Sequence, residues 1–592
     1  MEKMKKFILP VIFVVLGLSS CDFLERTPKD KLAPENYFRN EQDLKLFSNS
    51  FYDNLFEKNP FETQSDILFL KGTLSDELLG GVDRVVPQNA GTGGWSWGQL
   101  RKINTMLGNI HKCEDEAART QYTALAKFFR ARFYFEKVKR YGDVAWVDEP
   151  IDANDKTLYR GRDPRAMVME HVLEDIDFAI ENLPSGKDVF RVTKWTALAL
   201  KSRIMLFEGT FRKYHNLGDW EVCLEESVKA SQELIDKGGY SLYSSYEGLF
   251  TATDANTVAK EMILARNYNY GAGLTHGVQA YVNSQGAGCA GVTKRLVDAY
   301  LMKNGTRHTD RPGYKTMTFE EEVKDRDGRL AATVRTPGYK IDGKAAAPNL
   351  NVAKLGYHLR KYYVGVKYES YSEVSLPVFR LAEVYLNHAE AKAELGTLTQ
   401  TDLDKTINLL RSRAGVTGNL NLNTANANPD PWLMAAATGY PNLAQNAATY
   451  GNDANLGVIL EIRRERTVEL VMEGHRYYDI MRWREGKVFD EQFLGMYIPG
   501  PGVYDFDKDG TNDFNIYTDT NPGNPNAGGV QLKIGSNINV TDGDKGNLTW
   551  HADLPRNWNE DRDYYYPIPI KERILTNGAL TQNPGWSDGL GF

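Results

Sequence analysis

The sequence predicts a mainly α protein, a scaffold of tetratricopeptide-type helix pairs overlaid by long loops and short β-strands. Three observations carry this. Apolar residues recur at spacings of three and four in several separated windows, caps, prolines and glycines punctuate those windows, and the stretches 240–375, 415–455 and 487–592 are rich in Gly, Asn, Pro and Tyr.

The elements follow in order. Trp97, Leu100, Ile103 and Leu107 have helical spacing, as do Leu125, Phe128, Ala131, Phe135 and Val138. Asp163-Pro164 opens the next helix with a cap residue and a proline; Val168, Val172, Ile176, Ala179 and Leu183 form its face, and Pro184 stops it. A helix from Thr193 runs through Ala197, Leu200, Ile204 and Phe207. Another uses Leu224, Val228, Ser231 and Ile235 and ends at Gly238-Gly239. Later helices span about 381–395 before Gly396, 403–414 before Gly415, and 458–472 before Gly474. Small residues such as Ala389, Ala391 and Ala393 allow close helix crossings, although no strict 34-residue period survives. The loop-rich stretches read as long loops and short strands, and loops of that length inside a folded body usually carry function.

A length of 592 residues allows several domains or one large solenoid-like body. The formal charge of −7, from 71 Lys+Arg against 78 Asp+Glu, lacks the basic field that nucleic-acid binding requires. Trp 10, Tyr 32 and Phe 25 beside Gly 52 suit a loop-rich surface that grips its ligand by stacking.

At the start, Lys3, Lys5 and Lys6 precede an apolar run from Phe7 to Leu18 that is too short for a stable membrane span. Residues 1–20 therefore read as a signal peptide. Leu18-Ser19-Ser20-Cys21 resembles a lipobox, which makes Cys21 the expected lipidation site, residues 21–34 an anchor and tether, and 35–592 one body. Removing residues 1–20, with three Lys and one Glu, takes the charge from −7 to −9. Cys113, Cys223 and Cys289 are scattered and odd in number, so they imply buried small hydrophobes rather than disulfides or a metal site.

Four ordered segments resemble the SusD/RagB family of surface nutrient-binding lipoproteins. They are Phe128-Phe129-Arg130-Ala131-Arg132-Phe133-Tyr134-Phe135 with Arg140-Tyr141-Gly142-Asp143-Val144; Leu376-Pro377-Val378-Phe379-Arg380-Leu381-Ala382-Glu383-Val384-Tyr385; Ile462-Arg463-Arg464-Glu465-Arg466 through Gly474-His475-Arg476-Tyr477-Tyr478-Asp479; and Tyr566-Pro567-Ile568-Pro569 with Asn583-Pro584-Gly585-Trp586. The resemblance implies four tetratricopeptide-like helix pairs and a cell-surface outer-membrane lipoprotein. It implies a protein that binds oligosaccharides or peptides and hands them to a SusC-like TonB-dependent transporter. With one lipid anchor and no pore-forming strands, the chain needs such a partner to move a ligand across a membrane, with residues 22–34 near the contact. A surface adaptor without small-ligand binding and a divergent glycosidase are the alternatives.

Enzyme chemistry is not indicated. Gly94-Trp95-Ser96-Trp97-Gly98 fits the G-x-S-x-G pattern, but the Gly-rich run before it cannot be the core strand a nucleophile elbow needs. Glu461, Glu465, Glu469 and Glu473 recur every four residues among Arg463, Arg464 and Arg466, a spacing that predicts ion pairs such as Glu461–Arg464 and Arg466–Glu469 along a helix surface. One metal candidate stands out. Asp505, Asp507 and Asp509 with Gly510, then Thr511 and Asp513, match the start of a calcium loop, although position twelve is Ile516 and no helices flank it. A structural Ca²⁺ is the expected cofactor.

For the ligand, aromatics in irregular chain are the candidates. Trp95 in Gly-rich sequence, Asn267, Tyr268 and Tyr270 in the run Asn267-Tyr268-Asn269-Tyr270-Gly271, and Tyr281 offer flat faces with amides beside them; Asp76 is a polar partner. Trp97, at helical spacing, reads as core.

Overall fold

The computed structural model describes residues 37–54, 68–70, 84–151, 155–283 and 290–592, the last apart from 523, 525, 527, 551 and 554. The expected signal peptide, Cys21, the expected tether and Asp76 lie outside the described residues. The mainly α architecture is as the sequence predicts, and successive helices pack on one another. Helix α1 (Glu41–Ser48) and α2 (Gly98–Asn109) lie against α3 (Glu116–Tyr141), which packs on α4 (Arg165–Asn182). Next come α5 (Lys194–Tyr214) and α6 (Trp220–Lys237), then α7 (Val278–Asn283), α8 (Leu381–Glu394) and α9 (Leu456–Glu469). Helix α8 packs on α5, α6 and α9, so residues 238–380 form an insertion between helices that pack on one another.

Local chemistry explains the boundaries. Asp115 caps α3 by accepting from Ala118 N, and the chain leaves α3 through Gly142 at φ +72°. At α4 the cap differs from the sequence expectation: Pro164 is the N-cap residue, Asp143 Oδ1 accepts from Arg165 N at 2.8 Å, and Asp163 instead holds Trp146 N. At α5, Thr193 N donates to Thr196 Oγ1 at 3.2 Å. Gly209 is required by contact: a Cβ there would lie 2.7 Å from Leu224 at the α5–α6 crossing. The expected helix at 403–414 is broken at Thr406 (φ −131°, ψ −88°) into Gln400–Lys405 and Ile407–Arg413. The 415–455 stretch, expected to be loop and strand, carries the short helices Leu422–Ala427, Pro431–Met434 and Pro441–Asn446, two of them with Pro in the first turn.

Small sheets decorate this frame. Strands β1 (Leu68–Leu70), β2 (Met262–Arg266) and β3 (Ala290–Val292) are followed by the hairpin β4 (Lys340–Ile341) and β5 (Lys344–Ala345), then β6 (Tyr357–His358) and β7 (Leu376–Arg380). The order β1-β3-β6 is one antiparallel sheet, and β2 pairs β7. Beyond α9, β8 (Leu494–Ile498), β9 (Gly502–Tyr504), β10 (Phe514–Tyr517), β11 (Val530–Lys533), β12 (Asn539–Asp542) and β13 (Lys545–Thr549) make two three-stranded sheets, ordered β11-β10-β9 and β12-β13-β8. The last segment returns to the beginning: Tyr566 N donates to Arg140 O (2.8 Å), Ile570 N to Pro87 O (2.9 Å), and Asn583 Nδ2 to Tyr141 O (3.0 Å).

Charge is built into the interior. Arg130 holds Asp175 through Nε (2.6 Å) and Nη2 (2.9 Å), joining α3 to α4, and Arg165 joins α4 to Glu208 on α5. Every residue of α9 from Gly457 to Glu469 is buried, so its acidic and basic side chains do not line a surface as their spacing suggested. Arg464 does meet Glu461 (3.3 Å), but Arg466 turns to Asp479 (2.8 Å) rather than Glu469. Glu469 accepts from Arg380 (2.7 Å), Arg329 (2.8 Å) and Arg413. Arg380 also reaches Glu473 (2.6 Å) and Glu261 (3.1 Å), and Arg411 reaches Glu461 (3.2 Å) and Glu465 (3.0 Å). Burial opposes ionisation of Glu469, but Arg413, Arg380 and Arg329 outweigh it and hold the carboxyl far below the usual carboxylate range.

Candidate functional site

The site is built in the 238–380 insertion. Its first wall is the β4–β5 hairpin, where Asp342 (φ +49°) and Gly343 (φ +83°) supply the two left-handed residues of a tight Asp-Gly turn. The second wall is residues 360–365. Gly365 (φ +137°) lets the two approach, since a Cβ there would lie 2.8 Å from Asp342 Oδ1. Between them opens a cleft of about 520 Å³ lined by Tyr339, Asp342, Arg360, Tyr363 and, from the helix Tyr246–Thr251, Glu247 and Thr251.

Tyr339 is half-buried and lines this cleft. The Arg360 guanidinium lies 4.2 Å from its centroid and Arg335 lies 5.9 Å away, so the ring is braced by cations. Arg360 also pairs with Glu247 and donates to Ala331 O at 2.8 Å; burial lowers it to about 10, which leaves it charged at neutral pH. Tyr363 OH donates to Glu369 Oε1 (2.6 Å) and accepts from Asn283 Nδ2 (3.4 Å), and burial together with Glu369 pushes its phenol above the ordinary range. Arg335 donates to Asn283 Oδ1. The cleft thus brings a tyrosine side chain together with fixed donors and acceptors.

Helix α7 ties this cleft to the loop singled out in the sequence. Gln279 Oε1 accepts from Val364 N (3.0 Å), and Gln279 Nε2 donates to Ser372 Oγ (2.8 Å). Tyr270, 60% exposed, faces Tyr371, 54% exposed, with centroids 5.4 Å apart, and Tyr270 N donates to Glu373 Oε1. Asn267 is exposed at the end of β2. Tyr281 lies on α7, its side chain outside the described set.

Two expected platforms are corrected. Tyr268 is 5% exposed, its ring edge-on to His276 at 4.5 Å. Trp95 is 3% exposed, packed edge-to-face on Tyr141 (4.8 Å) and Trp97 (5.4 Å), while Trp97 is the half-buried member of the pair. The positive-φ glycines 93 and 94 turn the chain so that the first tryptophan enters the core. Trp95 and Trp97 instead wall a second, more apolar cavity of about 250 Å³ with Leu100, Ile151 and Leu580. Ser96 between them is exposed and follows a turn, with no strand before it. Asp505, Asp507 and Asp513 come together at the β9–β10 tip, each offering an oxygen within 4.8 Å of the others, whereas the Asp509 carboxylate lies outside that group and its Oδ1 accepts from Thr511 N (2.7 Å). No helix among the described residues is long and apolar enough to cross a membrane.

A model of the SusD family matches residues 250–586, which span the insertion, α8, α9 and the terminal sheets. The chain belongs to the SusD family. A SusD-like protein of Formosa agariphila is 23% identical over 530 residues, covering 80% of this chain and 89% of its own length. One from Bacteroides ovatus is 20% identical over 532 residues, covering 81% and 83%. Among solved structures, a SusD-like protein from Bacteroides fragilis aligns with a TM-score of 0.66 at 22% identity, over 93% of this chain and 98% of that one. A SusD-like carbohydrate binding protein from the same species aligns with a TM-score of 0.66 at 20% identity, over 91% and 98%. The SusD fold is therefore present across the chain. Sequence reasoning missed Tyr339, Arg360 and Glu247; the Asp342-Gly343 dipeptide is the local signal that could have located the hairpin beside them.

Proposed function

We propose that this protein is a cell-surface lipoprotein, anchored to the outer membrane through Cys21, that binds oligosaccharides and delivers them to a SusC-like TonB-dependent transporter. The observation that carries the reading is the cleft at Tyr339. A sugar ring has apolar C–H faces edged by hydroxyls; an aromatic face flanked by Arg360, Glu247 and Asp342 meets both needs. The exposed Tyr270–Tyr371 pair, joined to the cleft through Gln279, extends the aromatic surface available to a longer chain. A solved structure aligning over 98% of its length is described as a carbohydrate binding protein, which supports a glycan over a peptide. Binding rather than turnover is the proposed role, since Glu247 is committed to Arg360 and Ser96 lacks an elbow.

Glycan-array and peptide-library binding with the purified protein tests this. The expected result is a glycan ligand whose affinity falls by about 1 kcal/mol or more in Tyr339→Ala with unchanged melting. Absence of any glycan or peptide binding would favour the adaptor, and accumulation of cleaved products would favour the glycosidase. Pull-down from detergent-solubilised outer membrane should recover one large barrel, and its repeated absence would overturn the delivery step.

A further inference from the structure

The nine residues 505–513 form the tip between β9 and β10, two antiparallel strands that register Phe514 with Tyr504. The chain folds back on itself there through Lys508 (φ +61°) and Gly510 (φ +88°). Asp505 accepts from Lys508 N (2.7 Å) and Gly510 N (3.0 Å), and Asp513 Oδ2 accepts from Phe506 N (2.6 Å) and Asp507 N (3.3 Å). These bonds turn the carboxylates inward.

Asp507 is the telling member. It is 5% exposed, Oδ1 takes one long bond from Asp509 N (3.2 Å), and Oδ2 has neither a hydrogen bond nor a cation. The adjacent Lys508 ammonium is engaged elsewhere, on Glu320 at 2.7 Å. Three carboxylates thus converge, one of them buried, with no positive charge between them. The other acidic cluster, Asp298, His308 and Glu322, differs: the Lys294 ammonium bridges Asp298 (3.2 Å) and Glu322, so its countercharge is part of the chain. Three converging carboxylates with no countercharge among them repel one another, and a bound cation supplies the missing charge.

We propose that the tip binds one calcium ion through the carboxylates of Asp505, Asp507 and Asp513. The donor set is oxygen only, which selects a hard cation. A tight irregular loop suits the flexible six-to-eight-fold coordination of Ca²⁺ better than the strict octahedron of Mg²⁺, with backbone carbonyls and water completing the shell. The site reaches the cleft: Asp507 O accepts from Gly338 N at 3.0 Å, and Gly338 lines the cleft beside Tyr339. An ion that fixes residues 505–513 therefore fixes one wall of the cleft, a consequence that rests on the reading of that cleft as the ligand site.

The test is calorimetric titration of chelator-treated full-length protein with CaCl₂. One site is expected, with a dissociation constant of roughly 10⁻⁴–10⁻³ M, as in extracellular modules, and at least tenfold weaker binding of MgCl₂. Saturating calcium should raise the melting temperature by about 2 °C, reversed by EGTA. Asp507→Asn keeps the side-chain shape and should weaken calcium at least tenfold with calcium-free melting retained; Asp505→Asn is the second variant. No heat at about 5 mM calcium with unchanged melting, or full affinity in both variants, overturns the proposal. No glycan enters these measurements, so failure of the glycan reading leaves them interpretable.

Discussion

Glu469 is the acceptor on which the buried charges converge, and Glu469→Gln isolates its charge at nearly constant volume. The carboxylate receives Arg380 (2.7 Å), Arg329 (2.8 Å) and Arg413, and all four side chains are buried. Charge-assisted bonds contribute about 1.5–3 kcal/mol each, but the three guanidiniums keep Glu261, Glu473, Asp327 and Glu465 as other partners, so the loss is smaller than a threefold sum. Breaking a buried pair by removing one charge costs about 3–5 kcal/mol. Divided by an unfolding entropy of about 1.2 kcal/mol/K for a chain of this length, that lowers the melting temperature by about 3–4 °C. The folded Glu469 carboxyl is depressed, so its contribution is complete above the unfolded carboxylate range and fades as pH falls below about 4.3. Differential scanning fluorimetry at pH 7.5 and at pH 4, on wild type and variant, reads both effects. A drop of less than about 1 °C at pH 7.5, or a gap that widens on acidification, would refute the argument.

The remaining predictions are simpler. Trp95→Ala empties a core position and should cost about 3–5 kcal/mol of stability, whereas Tyr270→Ala, at the surface, should stay within about 0.5 kcal/mol; urea midpoints distinguish them, and equal effects would contradict the burial of Trp95. Cys21→Ser should abolish incorporation of labelled fatty acid into the protein, because that thiol is the proposed point of lipid attachment; retained label would point to a different anchor. Tyr339→Ala should weaken glycan binding without changing the melting temperature, and an unaltered affinity would move the ligand elsewhere.

Much of the scaffold was legible because helix faces and ends are local properties. Ala197, Leu200 and Ile204 report their own periodicity, and Gly396 and Gly415 adopt the left-handed φ that ends a helix. The interior charges were not legible. Arg464 meets Asp430, 34 residues away, and Arg329 meets Glu469, 140 residues away, so nothing in the spacing along α9 distinguishes a buried network from a solvated face. The exchange of roles between Trp95 and Trp97 has the same origin: Tyr141, which receives Trp95, is remote in sequence. The candidate cleft draws on Glu247, Tyr339 and Arg360 from three segments, each unremarkable alone. By contrast, the proposed calcium loop compresses its converging carboxylates into nine residues, and a pattern that short can be read directly.

The return of the final segment to the first helices sets an order of assembly. Asn583 and Tyr141 are separated by 442 residues, and bringing such distant points together costs loop entropy before any bond repays it. Helix pairs can form among themselves as the chain emerges, but the Tyr141 carbonyl and the ring of Tyr565 against Gly142 wait for the far end. The N-terminal helices therefore remain an unsealed edge for most of the chain's folding, and the polypeptide closes on itself only at the end, like a clasp.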